Sequence, residues 1–152
     1  MPDLQTDRAA ALYSQQLQDY IADLSTVKRL DAPNSTITKT SSICGSQLTL
    51  DLTFKNDRID QIGHALAACN LTRATLRSFI RHAPGLTRTD ILKAKTALQN
   101  WLTEQSDILP EPWDELYIIA AARPYSLRHS AMMLPFDAAM AAYEKLDKSR
   151  RI

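Results

Sequence analysis

The alternation of apolar and polar residues is clearest in residues 47–54, where every second side chain is apolar. This period of two predicts a β-strand with one buried face, and its apolar members are Leu48, Leu50, Leu52 and Phe54. Residues 55–58 (KNDR) predict a tight hairpin turn, because Asn and Asp tolerate left-handed backbone angles. A further strand is expected across residues 59–66, and β-branched residues predict an earlier strand across 36–40.

Helical periodicity flanks these strands on both sides. Residues 8–25 carry apolar side chains near helical spacing and predict an N-terminal helix. After the strands, Asn70 is a candidate N-cap of a helix that ends at Pro84-Gly85, and Thr89 is a candidate cap of the next helix. A final helix is expected to carry one apolar stripe, made of Leu127, Ala131, Leu134, Ala138, Ala142 and Leu146.

A short helix that opens at Pro112 brings the predicted helices after the strands to four. Strands that come first and helices that follow favour an α+β domain. We therefore predict a single domain over residues 1–152, with an N-terminal helix and a three-stranded antiparallel sheet whose one face is covered by four helices.

Composition excludes several classes of protein. Of the 152 residues, 45% are hydrophobic and 23% are charged, which is typical of a globular chain. A formal charge of +1 gives no general attraction to nucleic acid or to an anionic membrane. Residues 1–7 are polar and show no export signal, so we expect a cytoplasmic, reducing location. Cysteines there are more often free thiols, metal ligands or redox groups than structural disulfides.

The two cysteines are placed where the chain changes direction. Cys44 precedes the alternating strand, and Cys69 follows the next strand and precedes the helix that opens at Asn70. If the two strands form a hairpin, both thiols fall at the same edge of the sheet. Gly45 allows a backbone geometry that a Cβ would forbid, and a helix N-terminus stabilises a thiolate. This arrangement indicates a metal or sulfur site, although buried cysteines often only pack.

Other chemistry has little support in the sequence. His64 lies five residues before Cys69, on the opposite face of the strand, and His82 suits a helix C-terminus without further function. His129 lies away from the apolar stripe of the last helix. Acidic residues are spread over the predicted helix exteriors, and no nucleophile elbow, phosphate-binding glycine loop or HExxH pattern occurs. We therefore predict that the protein is not an enzyme.

Several segments together resemble the U-type iron–sulfur cluster assembly scaffolds, called NifU-like or IscU-like. Residues 43–50 (ICGSQLTL) are similar to the family's Cys-Gly-Asp before a strand, and residues 69–76 (CNLTRATL) to its second cysteine at a helix start. Residues 85–87 (GLT) fall at the family's Gly-Lys-Ser-like turn. Residues 128–136 (RHSAMMLPF) are similar to its Arg, two residues, Cys, Ala, Thr, Leu, Pro, Trp.

The resemblance implies a site at the cysteines, with departures from the family pattern. Family members accept sulfur from a cysteine desulfurase and hold a transient [2Fe–2S] cluster, iron or a zinc ion. The implied ligands are Cys44 and Cys69, with Ser46 where the family has aspartate. The family's third cysteine falls on Ala131, which cannot bind a metal, and His129 is a candidate replacement if the last helix begins later than predicted.

Three interpretations follow from the resemblance. The protein is a divergent scaffold that binds iron or a cluster and hands it on, completing its site with His129 or by bridging a dimer. Alternatively, it is a metal-free accessory protein of the same fold, or its two thiols form a sulfur-relay pair. The expected partners are a cysteine desulfurase and cluster-acceptor proteins, with no nucleic acid or membrane, and the chain is expected to be a monomer or homodimer.

Overall fold

The computed structural model describes residues 14–43 and 45–150, in which strands are followed by helices. In this part of the chain four antiparallel strands form one sheet in the order β1-β4-β3-β2, so the predicted α+β class is confirmed. The elements in chain order are α1 (Gln15–Ile21), β1 (Val27–Lys28), β2 (Ser35–Thr40), β3 (Gln47–Lys55), β4 (Arg58–Ala67), α2 (Asn70–His82), α3 (Arg88–Leu102), two 3₁₀ helices (Trp113–Ala122 and Ser126–Arg128) and α4 (His129–Arg150).

The β3–β4 hairpin forms as predicted. Lys55 pairs with Arg58 across a two-residue turn in which Asn56 and Asp57 adopt φ angles of 55° and 63°. Side chains of this type tolerate the left-handed region that such a turn requires. The apolar side chains of the alternating pattern point into the core, where Leu48, Leu50 and Leu52 are fully buried.

The sheet has one strand more than the three that the sequence predicts. Strand β1 pairs Val27 with Ala65 and Lys28 with His64, and it forms the edge of the sheet beside β4. Both of its residues are exposed. A strand of two exposed residues shows no alternation, so the sequence carries no signal for it.

Helix α4 is the centre of the helical layer. It packs against β2 and β3 on one side and against α2 and α3 on the other. The Phe136 ring of α4 meets Phe79 of α2 edge-on at 5.5 Å and Trp113 at 5.3 Å between ring centroids. These contacts close the apolar face of the sheet. Among the described residues, no helix is long and apolar enough to cross a membrane.

Two predicted helix starts are wrong. Helix α3 is capped by Thr87 rather than Thr89, because the Thr87 hydroxyl accepts from the Asp90 amide at 3.2 Å and the Asp90 carboxylate accepts from the Thr87 amide at 3.0 Å. Helix α4 begins at His129, and Leu127, which was expected on its apolar stripe, is 65% exposed. Leu127 belongs instead to the short 3₁₀ helix before α4.

Two further helices can be compared with their predicted form. The short helix expected after Pro112 is present, and it is a 3₁₀ helix over Trp113–Ala122. Helix α1 ends at Ile21 instead of residue 25, and residues 8–13 of the predicted N-terminal helix lie outside the described residues. Element boundaries carry a weaker sequence signal than element existence, because helix ends are set by caps and by neighbouring segments.

A proline inside α4 creates a bond between α4 and α2. Pro135 has no N–H, so the carbonyl four residues earlier, that of Ala131, has no helical donor. The buried Thr72 hydroxyl of α2 donates to the Ala131 oxygen at 2.9 Å. Because a buried carbonyl without a donor costs free energy, this bond stabilises the contact between the first turns of α2 and α4.

A buried carboxylate supports the opposite face of the sheet. The alternating pattern places Asp51 of β3 on the polar face, but its side chain is fully buried. Arg29 binds it through two nitrogens, at 2.7 and 3.0 Å, and Thr36 and the Leu30 amide donate at 2.7 and 3.1 Å. Burial raises the pKa of Asp51, but these hydrogen bonds outweigh burial and hold the pKa below its ordinary value.

We expect Asp51→Asn to destabilise the protein by about 2 kcal/mol, because the buried side chain would lose the charge that Arg29, Thr36 and the Leu30 amide stabilise. Urea unfolding measures the change. Asp60→Asn in the exposed part of β4 is the matched control and should change stability by less than about 0.5 kcal/mol. Equal stability of the two variants would contradict this role of Asp51.

The same carboxylate predicts a pH dependence. A group whose pKa is lowered by folding contributes stability above its unfolded pKa of about 4, and this contribution is lost as the pH falls through the folded pKa. Stability measured from pH 6 down to pH 3 should therefore fall less steeply for Asp51→Asn than for the natural protein. Parallel curves for the two proteins would show that Asp51 titrates alike in the folded and unfolded states.

We expect Thr72→Val to cost about 1–2 kcal/mol, because it leaves the Ala131 carbonyl without a donor. In a Pro135→Ala background, residue 135 supplies its own N–H, so the cost of Thr72→Val should be smaller. A double-mutant cycle measured by chemical unfolding tests this coupling. Thr75→Val is the control, since the Thr75 hydroxyl donates to the Thr72 carbonyl and its loss should cost the same in both backgrounds. A Thr72→Val cost unaffected by Pro135→Ala would refute the coupling.

Candidate functional site

Cys69 lies at the junction of β4 and α2, as the sequence predicts. It is the N-cap residue of α2, with a free, partly buried thiol whose side chain makes no capping hydrogen bond. The sulfur lies 3.6 Å from the Thr72 hydroxyl oxygen. Since Thr72 donates its hydrogen to Ala131, its oxygen faces the sulfur as an acceptor. The bond between α2 and α4 therefore also fixes the turn that carries the thiol.

The loop between β2 and β3 closes on Cys69. The Ser41 amide donates to the Ser46 carbonyl and the Gly45 amide donates to the Ser41 carbonyl, both at 2.8 Å. Gly45 has a φ of 73°, which favours glycine. The Cys69 amide donates to the Ser46 hydroxyl at 3.2 Å and joins the loop to the start of α2.

The predicted ligand Cys44 lies outside the described residues. Its described neighbours lie beside Cys69: Ile43 lines the same cavity as the Cys69 side chain, and the chain after Gly45 reaches the Cys69 amide through Ser46. The loop therefore approaches the helix start from both sides of position 44.

A cavity of about 590 Å³ opens beside the Cys69 thiol. It is lined by Ile43, Cys69 and residues 124–128. Two of its apolar residues, Ile43 and Leu127, are 59% and 65% exposed, so they form a rim around the half-buried cysteine. Cys69 thus lines a cavity that is open to solvent and has apolar residues at its edge.

Ser46 is buried, at 3% exposure, and its hydroxyl already accepts from the Cys69 amide. This contact places Ser46 beside the backbone of Cys69. A neutral hydroxyl oxygen is a poor ligand for iron compared with a carboxylate or a thiolate. Ser46 could bind a metal through its hydroxyl only if the hydrogen bond from the Cys69 amide were rearranged.

His129 is the first residue of α4, so the last helix does begin later than predicted. Its Nε2 lies 2.9 Å from the Arg123 carbonyl oxygen, and because a carbonyl only accepts, Nε2 carries the proton. His129 lines a second cavity of about 360 Å³ together with Lys95 and Asp137, and Cys69 does not line that cavity. The structure thus brings Ser46 to Cys69 but places His129 at a different opening.

The remaining histidines have structural partners. His64 is buried with Nε2 at 2.7 Å from the Ser25 carbonyl oxygen, and His82 lies 2.7 Å from the Glu115 carboxylate. Glu115 also accepts from Tyr20 at 2.8 Å and from Ser78 at 3.2 Å. Burial raises the pKa of Glu115, but the Tyr20 and His82 hydrogen bonds prevail and hold it below its ordinary value. The sequence interpretation missed this polar cluster, which joins α1 to α2.

The donor set at the thiol is small. Among residues 14–43 and 45–150, no three or more His, Cys, Asp or Glu side chains come together as a metal site. Ala131, at the family's third cysteine position, is fully buried in the first turn of α4. The described residues thus give one thiol, and the second predicted ligand, Cys44, is not among them.

Sequence reasoning missed the role of Thr72, and it named Arg128 only as the first residue of a segment that resembles the family, without predicting its place near Cys69. Thr72 was identifiable as the hydroxyl one turn after Cys69, but its partner at Ala131 depends on how two distant helices pack. Arg128 lines the cavity of Cys69, although nearly sixty residues separate the two in the chain. Only the packing of the 124–128 segment against the start of α2 shows their proximity.

Comparisons with solved structures identify the fold. No protein-family model matches the sequence, and no curated protein sequence matches it. The crystal structure of the N-terminal part of a nitrogen-fixing NifU-like protein from Brucella abortus matches with a TM-score of 0.83 at 22% identity, covering 93% of this chain and 98% of that chain.

Two other solved structures also match the fold of this chain. A protein described as an iron–sulfur cluster assembly scaffold for the SUF system, from the thermophile Fervidobacterium islandicum AW-1, matches with a TM-score of 0.76 at 18% identity, covering 86% of this chain and 96% of that chain. A hypothetical protein matches with a TM-score of 0.69 at 17% identity, covering 93% and 99%. The chain therefore has the fold of the NifU-like and SUF-type scaffold proteins, as the sequence resemblance predicts.

Proposed function

We propose that this protein is a non-enzymatic iron–sulfur cluster assembly scaffold, which holds iron or a [2Fe–2S] cluster as cargo through Cys44 and Cys69 and hands it on. One observation carries the proposal. In a scaffold-like fold, the Cys69 thiol lies at the start of α2, in a cavity open to solvent and beside the loop that contains position 44.

The chemistry of this site suits transient binding. Thiolates are the ligands that iron in such clusters takes in proteins, and a sulfur in an open cavity can receive iron and sulfide and release them again. The Cys69 amide donates to the Ser46 hydroxyl and keeps this part of the loop next to the helix start. This contact supports the proposal that Cys44 and Cys69 act together.

Two thiols leave the cargo short of ligands. A [2Fe–2S] cluster needs four ligands, two on each iron. Ser46 and His129 remain predicted ligands, but Ser46 would have to give up the Cys69 amide and His129 the Arg123 carbonyl. We infer that Cys44 and Cys69 supply the two strong ligands and that the remaining ligands come from other groups.

The partners that we propose are a cysteine desulfurase, as the source of sulfur, and cluster-acceptor proteins, in the cytoplasm. The exposed side chains of Ile43 and Leu127 line the same cavity as Cys69, so a partner that delivers or removes cargo there would cover them. The nearly balanced charge of the chain, +1, supports protein partners over nucleic acid.

A second candidate function follows from Ala131. Ala131 has only a methyl group at the third cysteine position, and the Ser46 hydroxyl already accepts from the Cys69 amide. Both observations favour a metal-free accessory protein that keeps the fold and the partner surface. A sulfur relay or redox pair formed by Cys44 and Cys69 is a separate alternative, which also needs no metal.

Anaerobic reconstitution with ferrous iron and sulfide distinguishes these functions. We expect the natural protein to leave a desalting column coloured and with bound iron, and Cys69→Ser and Cys44→Ser each to lose most of that iron, because each removes half of the protein thiols. Iron and sulfide assays and visible absorbance measure the outcome, and circular dichroism confirms that the variants fold. If the natural protein is colourless and free of iron, the scaffold function is rejected and the metal-free accessory role remains.

Restoring a third thiol tests the geometry of the site. The Ala131 carbonyl accepts from the Thr72 hydroxyl, and the same hydroxyl oxygen lies 3.6 Å from the Cys69 sulfur. Ala131→Cys therefore adds a sulfur at the position that the resemblance aligns with the family's third cysteine. We expect Ala131→Cys to lose iron to a chelator about tenfold more slowly than the natural protein, because one more thiolate binds the cargo.

Ala131→Ser is the matched control, since serine has a similar size but lacks the soft ligand. It should lose iron at the rate of the natural protein. If Ala131→Cys and Ala131→Ser release iron at the same rate, residue 131 does not face the cargo, and the alignment of this position with the family's third cysteine is wrong.

A further inference from the structure

Strand β2 forms an open edge of the sheet. The order β1-β4-β3-β2 leaves one side of β2 without a neighbouring strand. The Ser41 amide donates to the Ser46 carbonyl, so the odd-numbered residues of β2 face β3 through their backbone and the even-numbered residues face outward. No hydrogen bond from the described residues reaches the outward N–H and C=O groups of Thr38 and Thr40. This edge can therefore pair with another strand.

The two edges of the sheet expose different amounts of backbone. Strand β1, at the other edge, has only two residues, whereas β2 spans the six residues Ser35–Thr40. One outward group of β2 is covered, because Lys145 Nζ donates to the Thr36 carbonyl at 3.2 Å. A lysine placed over a strand edge protects it from pairing. This protection covers one end of β2 and leaves the rest of the strand open.

A groove runs beside this edge, between β2 and α4. The Ser35 hydroxyl donates to the Ala142 carbonyl at 3.3 Å, and the Ser41 and Ser130 hydroxyls are hydrogen bonded at 2.8 Å. Helix α4 therefore runs antiparallel to β2 along the length of the strand. The groove has a volume of about 460 Å³, and its lining includes Lys39 on the strand side and Leu134, Ala141 and Glu144 on the helix side.

Two charged side chains in the groove have no opposite charge beside them. Lys95 pairs with Asp137 at 3.0 Å, but Lys39 and Glu144 form no ion pair within the part of the chain that the structure describes, although both line the groove. A binding partner that brings an acid to Lys39 and a base to Glu144 would satisfy both. A second copy of the chain supplies one of each.

We propose that two copies of this chain pair through their β2 strands, antiparallel about a two-fold axis, and so join two four-stranded sheets into one. The axis passes between Ile37 and the second copy's Ile37, so pairing covers a side chain that is only partly buried in one copy. In this register the outward groups of Thr36 bond with those of the second copy's Thr38. Lys145 gives up the Thr36 carbonyl to the new strand.

The same register brings opposite charges together. Lys39 of each copy lies opposite the second copy's Ser35, which is bonded to Ala142 of α4. Glu144 follows Ala142 on α4 and lines the groove, so the lysine of the incoming strand reaches it. The two-fold symmetry forms this ion pair twice in one interface. Complementary charges of this kind fix the register of two paired surfaces.

The thiol sites stay apart in this dimer. The Cys69 amide is bonded to Ser46, in the loop that follows β2. Antiparallel pairing places the two loops at opposite ends of the paired strands. The interface therefore needs neither a metal nor a disulfide, which distinguishes it from a dimer bridged at the cysteines. It goes beyond the proposed function and does not depend on it.

Charge reversal tests the interface. Sedimentation velocity of the full chain, over a range of concentrations with reductant and chelator, should show a monomer–dimer equilibrium. Lys39→Glu and Glu144→Lys should each raise the dissociation constant of the dimer about tenfold, because each places like charges together twice. The double variant should return to within about threefold of the natural value. Lys28→Glu, the same charge change on the opposite edge of the sheet, is the matched control and should change nothing.

Thr38→Pro tests the backbone pairing. The Thr38 amide faces outward, so proline removes a hydrogen bond between the copies and none within the chain. We expect this variant to be a monomer with an unchanged circular dichroism spectrum. In the natural protein, amide exchange measured by NMR should be slower at Thr36 and Thr38 in concentrated than in dilute solution. The Val27 amide, which faces outward at the other edge, should exchange alike in both.

Three results would overturn the proposal. They are a natural protein that is monomeric at every concentration, a dimer that persists in Thr38→Pro and in both charge reversals, and a dimer that Cys69→Ser abolishes, which places the contact at the thiols. These outcomes are separate from the fate of the scaffold function. A monomer that holds iron after reconstitution would keep the scaffold and reject the dimer, whereas an iron-free dimer that responds to the β2 variants would do the reverse.

Discussion

The Thr72–Ala131 hydrogen bond is the contact on which the geometry of the site depends. Pro135 removes the helical donor of the Ala131 carbonyl, and a hydroxyl from another helix replaces it at 2.9 Å. The bond fixes the first turn of α2 against the first turn of α4. The Cys69 thiol begins α2, and the 124–128 segment directly precedes α4, so both walls of the cavity are positioned by one contact.

Local patterns predicted the sheet and its hairpin well. The alternation of Leu48, Leu50 and Leu52 and the turn at Asn56-Asp57 are properties of consecutive residues, and the structure confirms both. The same pattern misplaced Asp51, because alternation assigns a residue to a face but does not tell what covers that face. In this structure the segment that contains Arg29 covers the face on which Asp51 lies. Strand β1 was not predicted, because it is only two residues long and shows no alternation.

The local features of the candidate site were predictable from the sequence, as those of the sheet were. The position of Cys69 at a helix start followed from the switch between strand and helix periodicity, and the structure confirms it. Arg128 and the cavity were not predictable, since they require two segments far apart in sequence to pack against each other. His129 shows the same limit: its place at the start of α4 was considered, but its bond to the Arg123 carbonyl depends on the fold of the preceding turn.

A shared fold does not by itself fix the ligands of a site. In this chain the fold of the scaffold proteins is kept, while the residue at the third cysteine position is a buried methyl group and Ser46 replaces a carboxylate. Each lost ligand weakens the hold on a metal, and a carrier must release its cargo. The proposed site, with few protein ligands and an open cavity, would therefore suit transfer rather than storage.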